Sequence, residues 1–268
     1  VDDGSTDGSF EELKRLQKDY PFLRVIQFRR NFGKAAALSC AFERARGSII
    51  LTLDADLQDD PMEIPRFIET IRQGVDVVSG WKYPRLDPFS KRIPSKVFNG
   101  LVNLFCDIQL HDINCGFKAY RKEVLQSIGL YGGRYRFLPV FAKNFGFKVS
   151  EIKIHHRPRV NGTSKYGGRR FIEGFFDLLT VILMTRFRKV PLHFFGSIGL
   201  VSLFAGFCCC LYLSLLWFQG ITIGHRPLLM LGVLLIILGV QLFGVGLLGE
   251  LMVESRKDDP TYNIKSED

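Results

Sequence analysis

Two acidic side chains at the end of an apolar run carry the clearest chemical signal in this sequence. Residues 49–53 are apolar apart from one threonine and lead directly into Asp54-Ala55-Asp56. A buried strand of this kind delivers two carboxylates to the carboxyl edge of a sheet, where open α/β sheets bind ligands. Mg²⁺ and Mn²⁺ favour such oxygens, usually with substrate phosphates completing the shell. A solvated pair of surface acids is the alternative, so the surrounding sequence has to decide.

The pattern around this motif predicts an α/β domain with an open, mostly parallel sheet. Strands are expected at 22–28, 48–54, 75–80 and within 147–160, and helices at 10–20, 34–45, 61–72 and 138–145. Alternation of strands and helices with short loops is typical of this architecture. Val1 is expected to end a strand that begins upstream. A basic loop after Gly80 leads into a further amphipathic helix.

Two long apolar runs follow the α/β pattern, Leu192–Phe218 and Pro227–Met252. Each exceeds the roughly 20 residues that cross a bilayer core, which favours two antiparallel spanning helices over a buried helical hairpin. Basic residues lie on the outer sides of the pair at Arg186, Arg188, Lys189, Arg256 and Lys257, and only Arg226 lies between the runs. The positive-inside rule therefore places both termini and the α/β domain in the cytoplasm.

The expected domain organisation has four parts. Residues 1–168 are expected to form the α/β domain, 169–190 an interfacial amphipathic helix, 191–254 the transmembrane hairpin and 255–268 a cytoplasmic tail. A core helix is the alternative for 169–190. The chain carries a formal charge of +9 over 268 residues, and its six cysteines include no Cys-x-x-Cys pair, which gives zinc or redox chemistry little support. Gly33-Lys34 is not read as a nucleoside-triphosphate loop, because Phe28 stands where that motif requires glycine.

Five motifs in a fixed order then carry a family resemblance. They are VDDGSTDGS at 1–9, RRNFGKAAAL at 29–38, LDADLQDDP at 53–61, INCGFKAYRKEV at 113–124 and RPRVNGTSKY at 157–166. With the two apolar runs, they resemble the polyprenyl-phosphate glycosyltransferases of inverting glycosyltransferase family 2. That group includes dolichyl-phosphate mannose synthase and bacterial undecaprenyl-phosphate transferases, and the tail is most similar to the bacterial glucosyl-transferring branch.

The resemblance implies a GT-A fold, Mg²⁺ or Mn²⁺, and transfer of one hexose to a polyprenyl phosphate with inversion. UDP-glucose and undecaprenyl phosphate are the expected donor and acceptor, and a bacterial inner membrane is the expected location. A GDP-mannose or aminoarabinose-type donor, or an inert membrane scaffold, are the alternatives. Membrane lipid and a homo-oligomer, a tetramer in relatives, are expected partners, and nucleic acid is not. Processive polysaccharide synthases carry a Gln-x-x-Arg-Trp signature that this sequence lacks.

The resemblance also assigns residues to the donor side of the site. Asp54, Asp56 and Gln58 would hold the metal, and Asp2 and Asp3 would bind the nucleoside, with turn capping as their alternative. Positive charge over the diphosphate would come from Arg159 and Lys165, in a loop shaped by Gly162, Ser164 and Tyr166. Contact with anionic lipid headgroups is the alternative for that loop. Asp59 and Asp60 are expected to cap the helix at Pro61.

On the acceptor side, the resemblance implies phosphate ligands at Lys82, Lys91, Arg92 and Ser95, with an ordinary solvated basic loop as the alternative. Relatives often have arginine at positions 82 and 91, so any bidentate contact is weaker here. Asp112 would lie near the donor sugar and complete the catalytic set with Asp54 and Asp56, or serve a turn. A lipid monophosphate is already anionic near neutral pH, so no strong general base is expected. His111, His155 and His156 have no evident partners in the sequence.

Overall fold

A four-stranded mixed sheet forms the centre of the part of the chain that precedes the apolar helices. Its strands are β1 (Ile49–Thr52), β2 (Val77–Lys82), β3 (Lys118–Arg121) and β4 (Val149–Ile154), in the order β1-β3-β2-β4. β3 is antiparallel to β1 and to β2, and β2 is parallel to β4. β1, β2 and β4 therefore run in one direction, and their carboxyl ends share one edge.

The structure, a computed structural model, describes residues 1–83, 89–128, 132–155, 157, 169–188, 190–222 and 227–255, without the side chains of 89–94, 132–134 and 169–173. The chain divides into two compact units, Val1–Val181 and Ile182–Asp268, and the boundary falls within one helix. The finer four-part organisation expected from the sequence stays a prediction.

Nine α-helices lie within the described ranges. They are α1 (Ser9–Asp19), α2 (Lys34–Arg44), α3 (Ile64–Arg72), α4 (Phe89–Cys106), α5 (Lys122–Ser127), α6 (Leu138–Asn144), α7 (Arg169–Arg186), α8 (Pro191–Phe218) and α9 (Pro227–Glu254). Short 3₁₀ turns occupy Pro61–Glu63 and Gly132–Phe137. The predicted helices at 10–20, 34–45, 61–72 and 138–145 are confirmed within a few residues.

The core of the first unit is packed between α3 and the sheet. α3 buries Phe67 and Ile71 on one side, and the Phe67 ring stacks on Phe117 with centroids 4.3 Å apart. Val78 and Ile154, from β2 and β4, complete the same cluster. Burial of each large side chain contributes about 1.5–3 kcal/mol to the free energy of unfolding. The packing of α3 on the sheet therefore holds in place the strand ends that carry the polar residues.

Two strand predictions need correction. Residues 22–28 form only one bridge, Asp2 with Gln27, because Asp2 is the single residue with which they exchange ladder hydrogen bonds in the described chain. Conversely, β3 was not predicted: it has only four residues, KAYR, with charged side chains at both ends. Its insertion makes the sheet mixed, although the three other strands keep the predicted parallel direction.

The second unit contains α8 and α9, the two helices long and apolar enough to cross a membrane. Only 17% and 11% of their most apolar windows are buried within the chain. They cross in close backbone contact: a Cβ atom on Gly199 would lie 2.7 Å from the carbonyl oxygen of Gly239, and the reverse distance is also 2.7 Å. Near the start of α8, the carboxylate of Glu250 of α9 accepts a hydrogen bond from the N–H of Leu192 at 3.3 Å.

Candidate active site

The carboxylate of Asp54 lies beyond the end of β1, on the backbone of Gly116. The loop that carries Gly116 is tied to β1 by Thr52, whose hydroxyl donates to the Gly116 carbonyl at 2.7 Å. A Cβ atom added to Gly116 would lie 2.5 Å from Oδ2 of Asp54, so any side chain there would displace the carboxylate. The ammonium of Lys34, in the first turn of α2, forms an ion pair with Oδ1 of Asp54.

Asp56 and Gln58 lie in the tight turn that follows. Oδ1 of Asp56 accepts a hydrogen bond from the N–H of Gln58 at 3.3 Å, and Leu57 between them has a φ of 60°. The Gln58 carbonyl accepts from the N–H of Arg157 at 2.9 Å. This last bond joins the turn to the segment after β4, so the structure places all three predicted metal ligands at the shared carboxyl edge.

This oxygen set fits a hard divalent cation. Two carboxylates and one amide oxygen are ligand types that Mg²⁺ and Mn²⁺ accept, with water and substrate phosphate in the other positions. In the structure, the carboxylate of Asp54 is already paired with one cationic group, the ammonium of Lys34. Among the described residues, no group of three His, Cys, Asp or Glu side chains has metal-binding geometry. The metal assignment therefore stays a prediction.

Lys82, at the end of β2, is surrounded by acidic groups from this edge. Burial opposes its charge, but the Cys115 thiol group and the carboxylates of Asp59, Asp112 and Asp54 outweigh burial and hold the pKa of Lys82 above its ordinary value. The lysine is therefore fully protonated at neutral pH. The structure thus brings Lys82 and Asp112 to the sheet edge that carries Asp54, and their substrate-binding roles stay predictions.

Asp112 is buried, and its backbone carbonyl accepts from the hydroxyl of Ser79 at 3.5 Å. The loop that follows Asp112 is held in place by Lys118. This lysine is fully buried, and the sequence did not predict it as a residue of the site. Its ammonium donates to the carbonyls of Ile113, at 3.0 Å, and Cys115. Burial lowers the pKa of Lys118 to about 8. The only sequence signal was that the charged Lys118 is followed by the apolar Ala119. This alternation is too short to predict a strand.

Asp2 caps a local turn, the alternative that the sequence left open, whereas Asp3 binds a loop distant in the chain. Oδ1 of Asp2 accepts from the N–H of Ser5 at 3.2 Å, and hydrogen bonds from Ser5 lower the pKa of Asp2. The carboxylate of Asp3 accepts from the N–H groups of Phe32, at 2.7 Å, and Gly33, at 2.9 Å. Asp3 thereby fixes the entry to α2, from which Lys34 reaches Asp54. Nucleoside binding by either aspartate stays a prediction.

The remaining acceptor-side residues belong to α4, which begins at Phe89. The backbone positions of Lys91 and Arg92 are therefore helical, where a loop was expected, and their side chains lie outside the described residues. Ser95 is half-buried on the same helix. The predicted diphosphate loop, with Arg159, Gly162, Ser164, Lys165 and Tyr166, lies outside the described residues, as does His156.

Two predictions about nearby side chains are wrong in part. Asp60 caps the turn at Pro61 as expected, with its Oδ1 accepting from the N–H of Met62 at 3.1 Å, but Asp59 does not cap and points into the site. His111 has partners: its ring stacks on Trp81 with centroids 3.8 Å apart, and its Nδ1 contacts Glu151. Sequence separation hid this pair, since β2, β4 and the loop before β3 meet only in the folded sheet.

Comparison with known proteins identifies the family of this chain. Residues 1–129 match the family model described as glycosyl transferase family 2. The chain is 36% identical to dodecaprenyl-phosphate galacturonate synthase of Rhizobium johnstonii, over 99% of this chain and 81% of that protein. It is also 36% identical to the undecaprenyl-phosphate 4-deoxy-4-formamido-L-arabinose transferase of Pseudomonas aeruginosa, over 94% and 74%.

The chain belongs to glycosyltransferase family 2. Both relatives are polyprenyl-phosphate sugar transferases by name, so the predicted resemblance and the predicted glycosyltransferase class are confirmed. The GT-A fold is confirmed as well. Glucosyl-3-phosphoglycerate synthase of Mycobacterium tuberculosis, crystallised with Mn²⁺, UDP-glucose and phosphoglyceric acid, matches 68% of this chain and 67% of its own at a TM-score of 0.52 and 17% identity. That likeness concerns the fold alone. Neither polyprenyl-phosphate relative is named for glucose, so the predicted glucose donor is not supported.

Proposed function

We propose that this glycosyltransferase moves one sugar from a nucleoside-diphosphate donor to a polyprenyl phosphate, with inversion and with a divalent cation. The single observation that carries this is the identity of 36% with a galacturonate-transferring relative along 99% of the chain. The geometry supports it, because an oxygen-rich turn for a metal and a protonated lysine lie at one sheet edge. An oxygen of the lipid phosphate would attack the anomeric carbon as the bond from that carbon to the diphosphate breaks.

On the donor side, Asp54, Asp56 and Gln58 would hold the cation. When bound, a divalent cation stabilises the negative charge that develops on the leaving diphosphate. The chain's own residues orient this group: Gly116 leaves room for the Asp54 carboxylate, and the Gln58 carbonyl joins the turn to the segment after β4. Arg159 and Lys165 follow that segment and would add positive charge over the diphosphate.

On the acceptor side, Lys82 would orient the lipid phosphate, assisted by Lys91, Arg92 and Ser95 from α4. No residue needs to remove a proton, since the phosphate monoester carries about 1.5–2 negative charges near pH 7. Asp112 would position the donor sugar beside Lys82. α8 and α9 would span the membrane and keep the α/β unit at the headgroup plane, where a polyprenyl phosphate is presented; the basic residues that flank them favour a cytoplasmic side.

The glucose prediction is corrected here to the sugars of the two relatives. We propose a UDP-linked uronic acid, galacturonic acid first, and a UDP-linked 4-deoxy-4-formamidopentose second. Purified protein incubated with polyprenyl phosphate, Mn²⁺ and labelled donors should yield lipid-linked label with one of these and far less with UDP-glucose or GDP-mannose. Preference for UDP-glucose would restore the original prediction.

The same assay tests the metal and the enzyme class. Chelation with EDTA, or the change Asp56→Asn, should lower turnover at least about 100-fold, as loss of a dominant electrostatic group does. The change Asp60→Asn is the matched control, since asparagine retains the helix cap. Full turnover without metal would refute the metal assignment, and no product with any donor would favour the inert scaffold.

A further inference from the structure

Asp59 is a buried carboxylate between the metal turn and α3 that the proposed chemistry does not use. Sequence reasoning assigned it to helix capping, but Asp60 fills that role. Asp60 is further held outward by the guanidinium of Arg157. Because Asp60 supplies the cap, the preceding carboxylate, Asp59, can turn inward, and its side chain is 0% exposed.

Inside the site, Asp59 faces Lys82. Its Oδ1 lies 3.6 Å from Nζ of Lys82, whose side chain is only 17% exposed. In the part of the chain that the structure describes, Asp59 is the ion-pair partner of this ammonium. The contact joins the loop after β1 to the last residue of β2, and β3 lies between those two strands. The pair therefore spans the sheet edge from the donor side to the acceptor side.

Burial of this pair sets what each member does for the other. An ammonium removed from water is unfavourable by several kcal/mol unless an opposite charge compensates it. A lysine has three rotatable N–H donors on a flexible stem, so it holds no fixed direction without a partner. The Asp59 carboxylate, at 3.6 Å from Nζ, attracts the ammonium as an ion pair beyond hydrogen-bonding distance, which restrains the stem and leaves the N–H donors for an incoming anion. Asp59 thus resembles the carboxylates that orient a ligand from behind in preorganised sites.

We propose that Asp59 is a positioning residue that holds the Lys82 ammonium in the orientation that receives the acceptor phosphate. This rests on the proposed function, since it takes Lys82 as a phosphate ligand. Asp59 follows Gln58 directly, so the segment that holds the donor's metal also orients the acceptor's counter-charge. The motif LDADLQDDP would then serve both substrates: its first two aspartates and glutamine the donor, its third aspartate the acceptor.

Steady-state kinetics of Asp59→Asn in the full-length protein test this. The change keeps the shape and removes the charge. We expect the KM for polyprenyl phosphate to rise roughly tenfold or more, with the dissociation constant of the nucleotide sugar within about twofold of wild type. In a Lys82→Met background, Asp59→Asn should add little, because the two residues act as one unit. Asp60→Asn, one residue away, should leave the acceptor KM unchanged.

An unchanged acceptor KM in Asp59→Asn, or effects of Asp59→Asn and Lys82→Met that simply add, would overturn the proposal. Direct binding of a short-chain polyprenyl phosphate, measured without donor, separates this from failure of the proposed function. If wild type binds the lipid but yields no product once a donor is added, the proposed function is refuted. If wild type and Asp59→Asn bind the lipid with equal affinity, the role of Asp59 is refuted. If Asp59→Asn does not fold, Asp59→Glu replaces it: this variant keeps the charge but shifts it by one methylene, and an unaltered acceptor KM there would overturn the proposal equally.

Discussion

The α/β unit and the helical hairpin both contain glycines where a side chain would collide, but the two regions use the space differently. At Gly116, the space admits the carboxylate of Asp54. At Gly199 and Gly239, it admits the backbone of the facing helix. The first region gathers ionised groups at a sheet edge, with Lys118 and Asp59 buried. The second has no Asp, Glu, Lys or Arg between Pro191 and Phe218.

The comparison shows that one residue type, with the same steric reason, supports two unrelated tasks. In the α/β unit, the absence of a side chain at Gly116 makes room for the charged group of Asp54. Gathering charges in this way lowers the free energy of unfolding, since buried ions are unfavourable without partners. In the hairpin a missing side chain permits dispersion contacts between helices that gain nothing from further apolar burial in lipid. Substitutions in the two regions should therefore affect different measurements.

The largest effect is expected from Gly116→Ala. The added Cβ would lie 2.5 Å from Oδ2 of Asp54, so the carboxylate must leave its position. We expect the affinity for Mn²⁺, measured by electron paramagnetic resonance of the free ion, to fall about 10- to 100-fold, the range for displaced metal support. Gly100→Ala on α4, where a Cβ meets nothing within 4 Å, is the matched control. Equal Mn²⁺ affinity in both variants would contradict the assigned site.

A smaller effect should appear in the pH dependence of stability. Burial lowers the pKa of Lys118 from 10.5 to about 8, so between these values the unfolded chain binds a proton that the folded chain does not. The free energy of unfolding should therefore rise with pH across this window by up to about 3 kcal/mol, at 1.4 kcal/mol per pKa unit. Below about pH 8, Lys118 is protonated in both the folded and the unfolded chain, and its burial then lowers the free energy of unfolding by the full amount.

Denaturant titrations at pH 7.5 and 9.5 measure this, with Lys118→Met as the variant that should lose the rise. Lys148→Met, which replaces an exposed lysine, should retain it. An identical rise in wild type and Lys118→Met would show that Lys118 titrates normally. Because the hairpin carries few ionisable groups, this pH dependence belongs to the α/β unit.

The smallest effect is expected from Gly239→Leu in the hairpin. A Cβ atom there would lie 2.7 Å from the Gly199 carbonyl oxygen, so the helices must separate, at about 1–3 kcal/mol for overpacking. We expect α8 and α9 to separate at a lower denaturant concentration, followed through the loss of an engineered cross-link between them. The affinity for Mn²⁺ should be unchanged. Gly244→Ala on the same helix, where a Cβ meets nothing within 4 Å, should alter neither. A lower Mn²⁺ affinity in Gly239→Leu would show that the two regions are not independent.

The parts of the fold that local sequence determines were predictable. β1 and β2 have apolar runs, α2 begins after a glycine turn, and α8 and α9 are long and apolar. The structure also brings Asp54, Lys82 and Asp112 to one sheet edge, while the roles that the family resemblance implied for them stay predictions. These features depend on neighbours along the chain or on motifs kept in order, which a sequence displays directly.

The rest depends on contacts between distant residues. β3 became a strand because β1 and β2 offer two open edges, not because KAYR favours one. Asp59 and Asp60 are chemically identical neighbours, and only the position of Met62 and Lys82 in space decides which one caps and which one is buried. The stacking of His111 on Trp81 likewise joins elements 30 residues apart in the chain.

That last contact makes the protein its own optical probe. The chain has two tryptophans, Trp81 in β2 and Trp217 near the end of α8. Trp81 directly precedes Lys82, and its indole lies flat against the His111 imidazole and 5.0 Å from the Lys153 ammonium. Indole emission responds to nearby charge, so a Trp217→Phe protein would have a single fluorophore near the carboxyl end of β2, whose signal needs no label.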